Sequence, residues 1–462
     1  MGLTLRNPFT FNSDKVNKYN KAFLHLFGMS TASYDDKAIT YIEKGYKMNP
    51  IVYSVVNQIS IKASSIPFYI KKIDNKQEKQ KRDNLIKAVN YNPTPQQQIK
   101  RILLESKAFK EDYLDIPLEK PNPLQNWNEF VSLYETFMCT TGNAYIYLLS
   151  PSEGQNAGVP IAWYLLPSQL MEIHVKSNAD TLDIESPVSH YTLTMGQQDI
   201  RFEEDKVIHI KYANPSFDEV GEHLYGVSPL RASLKNIESS NEALGLNVKT
   251  LKNGGAFGFI HSKGGGLLDD QAKAIKERVL EMDSDTRRMS NILATSGELG
   301  FTRMSLTADE LKPFDYLRYD MKMICNSLGW DDKMMGNDDG SKYDNFGIAM
   351  RKGITNKIMP DLKLLEQAIN TQILPKYKNY QNTVWEFDIN ELPEMQVDMA
   401  MMAGWISTYI DKGIITRNEA RIASKFVISD DINMNEFTVQ SDILTLAQSL
   451  DDLPTIGNDE GI

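Results

Sequence analysis

SPLRASLKNIESSNEALGLNVKTLK, residues 228–252, sets Leu230, Leu234, Ile237, Leu244, Val248 and Leu251 at alternating steps of four and three. Asn241 fills the one polar position in that series. Such spacing lays a narrow apolar stripe along one side of a helix. LKPFDYLRYDMKMICNSLGW, residues 311–330, repeats it with Phe314, Leu317, Met321, Ile324 and Leu328. Thr307-x-x-Glu310 ahead of it reads as a capping box that starts the second helix. A narrow stripe fits a helix packed lengthwise on a neighbour. It fits two amphipathic helices in a common core equally well, and periodicity leaves both readings open.

Between the two helices lies a compact module, about 254–305. It opens with Gly254-Gly255 and Gly264-Gly265-Gly266, continues as a helix over 269–282, and ends in strands within NILATS and LGFTRMSL. Two long helices that bracket a small module describe a stalk with a tip. After Trp330 comes DDKMMGNDDGSKYDN, polar and broken by glycine. A third long helix extends to about Leu374 with Ile358, Leu362, Leu365 and Ile369 on one face; Pro360 inside it should bend or interrupt it.

Toward the N-terminus, residues 1–48 read as an arm. Asn49-Pro50 signals a helix start, and Val52, Val55, Val56, Ile59 and Ala63 mark its apolar face. Ile66-Pro67 ends that helix before a strand at Phe68-Tyr69-Ile70. The lysine-rich stretch 71–112 reads as a solvated excursion or partly disordered loop. Trp127, Phe130, Leu133, Tyr134 and Phe137 form the next helix, and Gly142-Asn143 ends it. Strands follow at 144–148 and in IAWYLL, MEIHV, HYTLTM and KVIHIKY, which makes an α+β domain around an antiparallel sheet. VWEFDIN is a further strand, residues 395–426 are helical, and the rest is acidic.

The 462 residues allow two to four domains, and 41% hydrophobic with 24% charged residues is ordinary globular composition. Cys139 and Cys325 are too far apart in sequence to read as a CxxC pair, so neither a disulfide framework nor a zinc site is expected. No apolar run reaches the roughly 18 residues that a membrane helix needs, the N-terminus lacks a signal-peptide pattern, and the chain reads as one of a reducing cytoplasm. The net charge of −11 sits at the C-terminus: residues 373–462 hold 6 Lys+Arg against 15 Asp+Glu, whereas 228–372 hold 20 of each. By that tally no part of the chain has the basic surplus of a protein that grips nucleic acid.

Catalytic and metal patterns are absent. Counting from Asp331, an EF-hand would have Gly336 at position six, but Lys333 and Met335 occupy its third and fifth ligand positions. The glycine clusters do not satisfy the phosphate-loop pattern, because Lys263 precedes its glycines. Neither GxSxG nor HExxH occurs. Acid pairs such as Asp331-Asp332 and Asp283/Asp285 read as caps and solvated carboxylates.

Several stretches together resemble the portal proteins of the HK97-type family of tailed phages. Pro121-Asn122-Pro123, then a helix, then Gly142-Asn143-Ala144-Tyr145-Ile146-Tyr147 is similar to one family passage. Leu165-Leu166-Pro167-Ser168 with Met171-Glu172-Ile173 resembles a strand pair of that family. Leu224-Tyr225-Gly226-Val227-Ser228-Pro229-Leu230 resembles its YGxSPL signature. Asp411 to Arg421, DKGIITRNEAR, resembles its GxxTxNEAR passage. The likeness covers about 50–425. It departs at Leu328-Gly329-Trp330-Asp331-Asp332, where the family has FGVPP, and in the long excursion at 71–112.

The resemblance implies an α+β portal fold. Its parts are an N-terminal arm (1–48), an antiparallel-sheet wing (49–227 and 346–392) that includes a kinked long helix, and a stem of two helices (228–253 and 307–330). A small α/β clip (254–306), a tunnel loop (331–345) and a helical crown with an acidic tail (393–462) complete it. It further implies a non-enzymatic ring of twelve copies at one capsid vertex of the virion, assembled in the host bacterial cytoplasm. Its partners would be the terminase large subunit, the head-tail connector, the major capsid protein and passing double-stranded DNA, with no cofactor, metal or membrane. The channel-facing residues expected from it are Lys333, Met334, Met335, Asn337, Asp338, Asp339 and Lys342, with Lys249 and Lys252 as second choices. Arg287, Arg288 and Arg303 of the clip would contact a partner. Two alternatives are an oligomeric minor capsid or scaffold protein that conducts nothing, and a metal-dependent nuclease centred on Asp331, Asp332, Asp338 and Asp339.

Overall fold

A computed structural model describes residues 38–89, 94–114, 117–176, 186–196, 198–216, 222–252, 258–262, 270, 273, 299–303, 313–336, 343–389, 392–395 and 399–437. The first half of the chain forms α1 (Pro50–Ser64), β1 (Phe68–Ile73), α2 (Lys76–Val89), α3 (Pro95–Ala108), β2 (Phe109–Leu114) and α4 (Trp127–Thr141). Strands β3 (Asn143–Leu149), β4 (Ala162–Leu166), β5 (Met171–Val175), β6 (Val188–Met195), β7 (Gln198–Glu203) and β8 (Val207–Lys211) follow. The second half forms α5 (Leu234–Lys252), β9 (Gly258–Ser262), β10 (Leu299–Arg303), α6 (Pro313–Ser327), α7 (Tyr343–Gly353), α8 (Met359–Ala368), β11 (Thr383–Phe387), α9 (Met399–Asp411) and α10 (Arg417–Ala423). Among the described residues strand pairing is antiparallel, in three three-stranded sheets ordered β11-β1-β2, β4-β3-β8 and β5-β6-β7, with β9 and β10 as a separate pair.

Local signals explain most of these elements. Asn49 caps α1 by accepting from the Ile51 and Val52 N–H groups at 3.0 and 3.1 Å, and the five apolar residues of its predicted face are fully buried. That face lies on α4. Gly142 ends α4 at φ +72°, a left-handed geometry that favours glycine. Phe68 of β1 stacks on Trp385 of β11 with ring centroids 4.3 Å apart, and Trp127 meets Trp163 edge-on at 5.1 Å. These rings join two of the sheets to α4 through one core.

Two expectations need correction. The arm gives way to folded structure before residue 48: Tyr41–Lys47 is helical, and Tyr41 and Ile42 are buried. Residues 1–37 lie outside the described residues. The lysine-rich stretch is no loop, because β1 runs to Ile73 and α2 and α3 follow as packed helices. Its period was invisible to hydrophobicity because several of its buried positions are polar: Arg82, Gln98 and Arg101 sit beside Ile86 and Ile99. The interruption expected in the third long helix at Pro360 is present as a change of helix type. Regular α-helix gives way to a π-helical segment at Ile354–Ile358, α8 follows with Pro360 in its first turn, and a second π-helical segment lies at Ile369–Ile373. The wider turn relieves the clash that a proline ring makes with the preceding turn.

The α2–α3 hairpin is fastened to its sheet by a buried ionic core. Arg82 places Nη2 2.7 Å from both oxygens of Glu386, Lys71 pairs with Glu105, and Arg82 lies 5.2 Å from the centre of the Phe109 ring. Burial pushes the Glu386 carboxyl up, but Arg82 and Lys71 outweigh it and hold the pKa at about 2. The folded value lies below the unfolded one, so this contribution is complete above the unfolded pKa of about 4.3 and is lost as pH falls toward 2. By linkage it is roughly 3 kcal/mol. Glu386→Gln leaves Arg82 buried without its carboxylate and should cost about 3–5 kcal/mol at neutral pH. In urea melts the gap between wild type and variant should narrow as pH drops from 5 to 3.

Candidate functional site

The stretches around Asn122, Gly142–Tyr147, Leu165–Ile173 and Leu224–Leu230 meet in space and hold one another, whereas Asp411–Arg421 packs elsewhere, against α3. Asn143 Oδ1 accepts from the Gly226 N–H at 2.6 Å, and its Nδ2 donates to the Gly226 carbonyl at 3.1 Å. A Cβ on Gly226 would lie 2.1 Å from the Gly142 carbonyl oxygen, and one on Gly142 would lie 2.3 Å from that of Val227. His209 stacks on Tyr145 at 4.3 Å, and its Nε2 stands 3.0 Å from Asn143 Oδ1. Because that oxygen accepts, Nε2 carries the proton. Burial, with Lys211 adding, drives the His209 pKa down to about 3 and keeps the ring neutral. Asn122 Nδ2 donates to the Trp163 carbonyl at 2.9 Å, which pins the proline-bounded turn to β4. Thr416 and Glu419 form a reciprocal cap on α10, and Asn418 Nδ2 donates to the Ser429 carbonyl at 3.0 Å. All of these residues hold joints of the fold.

Helices α5 and α6 run antiparallel from a common root. Asn236 Nδ2 donates to Asp320 Oδ1 at 2.8 Å, and Ser327 Oγ donates to Ser233 Oγ at 3.0 Å. Ile237, Ile324, Cys325 and Leu328 are buried there. The polar seam position is explained too: Asn49 of the α1 cap donates to Asn241 Oδ1 at 3.0 Å. Farther along the pair the cover ends. Leu246 and Val248 are 42% and 51% exposed, and Tyr316 and Tyr319 are 61% and 58% exposed. Of the stripe itself Ile237, Ile324 and Leu328 are buried, Leu244, Leu317 and Met321 are half-buried and Val248 is open; Leu246, Tyr316 and Tyr319 flank the stripe and widen the exposed apolar surface at that end.

The loop that follows is anchored before it leaves the core. Gly329 turns left-handed at φ +69°, the Trp330 N–H donates to the Cys325 carbonyl at 2.9 Å, and Trp330 Nε1 donates to Gln58 Oε1 at 3.0 Å. The Trp330 ring lies where a Cβ on Gly353 would need to be, 2.7 Å away. Beneath Gly329, Lys357 reaches Asp361 and Tyr212 at 2.7 Å each, and Glu135 at 3.8 Å. Burial, then Asp361, push the Glu135 carboxyl well above its usual range.

Of the residues expected to face a channel, Lys333 is exposed, Met335 is half-buried and Met334 is buried in the main core. The last is a correction: Met334 anchors the loop, and the Gln58 amide donates to its carbonyl at 3.4 Å. Asn337, Asp338, Asp339 and Lys342 lie outside the described residues. Lys249 and Lys252 are on the last turns of α5 and Arg303 ends β10, but their side chains lie outside the description, as do Arg287 and Arg288 entirely. Asp331 caps a short turn by accepting from the Lys333 N–H at 3.1 Å. Among the described residues no His, Cys, Asp and Glu group could hold a metal ion, and no helix is long and apolar enough to cross a membrane.

Charge is uneven within the N-terminal half. Residues 71–110 hold 11 Lys+Arg against 4 Asp+Glu, a surplus of seven. Averaging over the N-terminal half concealed it, so the expectation that no segment is basic was wrong. The run of lysines in KKIDNKQEKQKR was the available signal.

The sequence profile of a family described as phage portal protein matches residues 105–424. The chain belongs to that phage portal family. A portal protein of Escherichia phage T5 is 23% identical over 348 residues, which cover 74% of this chain and 78% of that protein. The fold is also that of two solved necks of gene transfer agent particles. One, from an empty particle computed with C6 symmetry, is 19% identical with a TM-score of 0.56; the other, from a native particle computed with C12 symmetry, is 18% identical with a TM-score of 0.55. Each match covers 85% of this chain and 94% of the other.

Proposed function

We propose that the chain is a structural subunit of a closed ring at one capsid vertex, through which double-stranded DNA passes during packaging and ejection. The observation that carries the reading is the apolar surface left open at the far end of the α5–α6 pair, at Leu246, Val248, Tyr316 and Tyr319. A heterologous contact repeated with the right rotation closes into a ring, and twelve copies match the C12 symmetry of a similar neck. On this reading the antiparallel sheets are the wing, α5 and α6 the stem, 254–306 the clip, 331–345 the tunnel loop and 393–462 the crown. The ring acts passively: a terminase hydrolyses ATP, a head-tail connector docks on the ring, and the capsid protein holds the ring in its shell.

Conduction requires weak, sequence-blind contacts, since a dense row of phosphate contacts holds DNA in place. A loop that mixes Lys333 and Lys342 with Asp338 and Asp339 fits that requirement, with Lys249 and Lys252 lining the stem and Arg287, Arg288 and Arg303 meeting a partner at the clip. Negative-stain images of the purified chain should show rings with an axial hole. Compact particles without a hole, at every concentration tried, would overturn the reading.

A further inference from the structure

The surplus of positive charge at 71–110 lies on elements other than those assigned to the channel. We propose that the α2–α3 hairpin, with the adjoining ends of β1 and β2, is a binding face for the phosphate backbone of double-stranded nucleic acid. Lys72, Lys76, Lys87, Lys100 and Lys110 are exposed and make no ion pair among the described residues. The acids of the hairpin are mostly engaged: Glu105 and Asp83 answer Lys71, Arg82 and Lys79, Glu78 answers Lys81, and Asp74 alone is classed as exposed. Lys107 is taken by Glu419 at 3.0 Å and is left out of the face.

The kind of partner follows from what the face lacks. Among the described residues, no large apolar side chain is exposed between Ile61 and Leu124. A protein partner needs buried aromatic or aliphatic anchors, and this face offers none. What it offers is ammonium groups, which meet phosphates as point charges without reading bases. Gln77, Gln80, Asn84 and Gln96 lie exposed among them as neutral donors. The 14-residue α2 is about 21 Å long, enough to follow several successive phosphates. The Arg82–Glu386 pair fixes the hairpin to its sheet, so the lysines sit on a rigid support.

The test measures binding of a short fluorescent DNA duplex of random sequence to the full chain, by anisotropy, between about 50 and 200 mM salt. Binding should be sequence-independent and should weaken steeply as salt rises. The combined variant Lys72→Gln, Lys76→Gln, Lys87→Gln and Lys100→Gln should bind at least about tenfold more weakly at low salt, with the log–log slope flattened by roughly three. Circular dichroism and ring mass should be unchanged, because those side chains are exposed. Absence of wild-type binding at low salt, or a variant with unchanged affinity and slope, would overturn the proposal. Capture of polyglutamate but not duplex would overturn it in favour of an acidic protein partner. Ring mass is read separately, so loss of the portal reading and loss of this face are distinct results.

Discussion

Gly226→Ala should leave almost no folded subunit. The added carbon would sit 2.1 Å from the Gly142 carbonyl oxygen, 2.9 Å from the Tyr212 backbone nitrogen and 3.0 Å from the Lys211 Cβ. Two of those three are backbone atoms, which cannot swing aside as a side-chain tip does. Tyr212 N–H already donates to the Gly142 carbonyl at 3.0 Å, so relief must prise β3 and β8 away from the 224–230 segment. That motion also breaks both Asn143 bonds to Gly226 and strands buried polar groups. A cost above about 4 kcal/mol follows, in the range reserved for core overlap and broken networks. Gly404→Ala supplies the contrast, since a Cβ there meets nothing within 4 Å on the exposed face of α9; it should be neutral or stabilising by up to about 1 kcal/mol. Soluble yield and thermal melting compare the two. Equal stability of both variants would show that the close approach is not as tight as described.

The second large effect concerns assembly. Val248→Asp combined with Tyr319→Asp should abolish the ring and leave each subunit folded. Both side chains are more than half exposed in the single chain, so the monomer tolerates the charges, and its melting temperature should barely change. In a ring the same charges would be taken out of water without a partner. That costs about 3–5 kcal/mol each where burial is complete, and it recurs at every interface. Size-exclusion chromatography should show a shift from ring to monomer. Rings that persist in the double variant would move the intersubunit contact off this part of the stem.

How far the sequence spoke can be argued from particular elements. The α1 face from Val52 to Ala63, the stop at Gly142 and the turn-bounded strands β3 to β6 and β8 follow from local rules that the fold obeys. The two-helix unit α5–α6 was legible from its steps of four and three. Whether its stripe would be core or surface was not, because that depends on what packs beyond Ile237 and Ile324. Helices α2 and α3 hide from a hydrophobic pattern since their buried positions include Arg82, Gln98 and Arg101, and the burial of Arg82 depends on Glu386, 304 residues away. Thr94-Pro95-Gln96-Gln97 was the overlooked helix start: Thr94 and Gln97 form a reciprocal cap with proline in the first turn. Met334 shows the limit within the loop. A methionine amid aspartates looks like loop chemistry, and only Trp330 and the neighbouring core reveal that it points inward.

The central claim is that neighbouring copies complete the stem by covering each other's open apolar ends. Native mass measurement of the purified chain at micromolar concentration tests it most directly. A closed ring gives a species of about twelve times the 52.5 kDa subunit, lost in the Val248→Asp, Tyr319→Asp variant. A mass of 52.5 kDa at every concentration and salt, for wild type and variant alike, would contradict it.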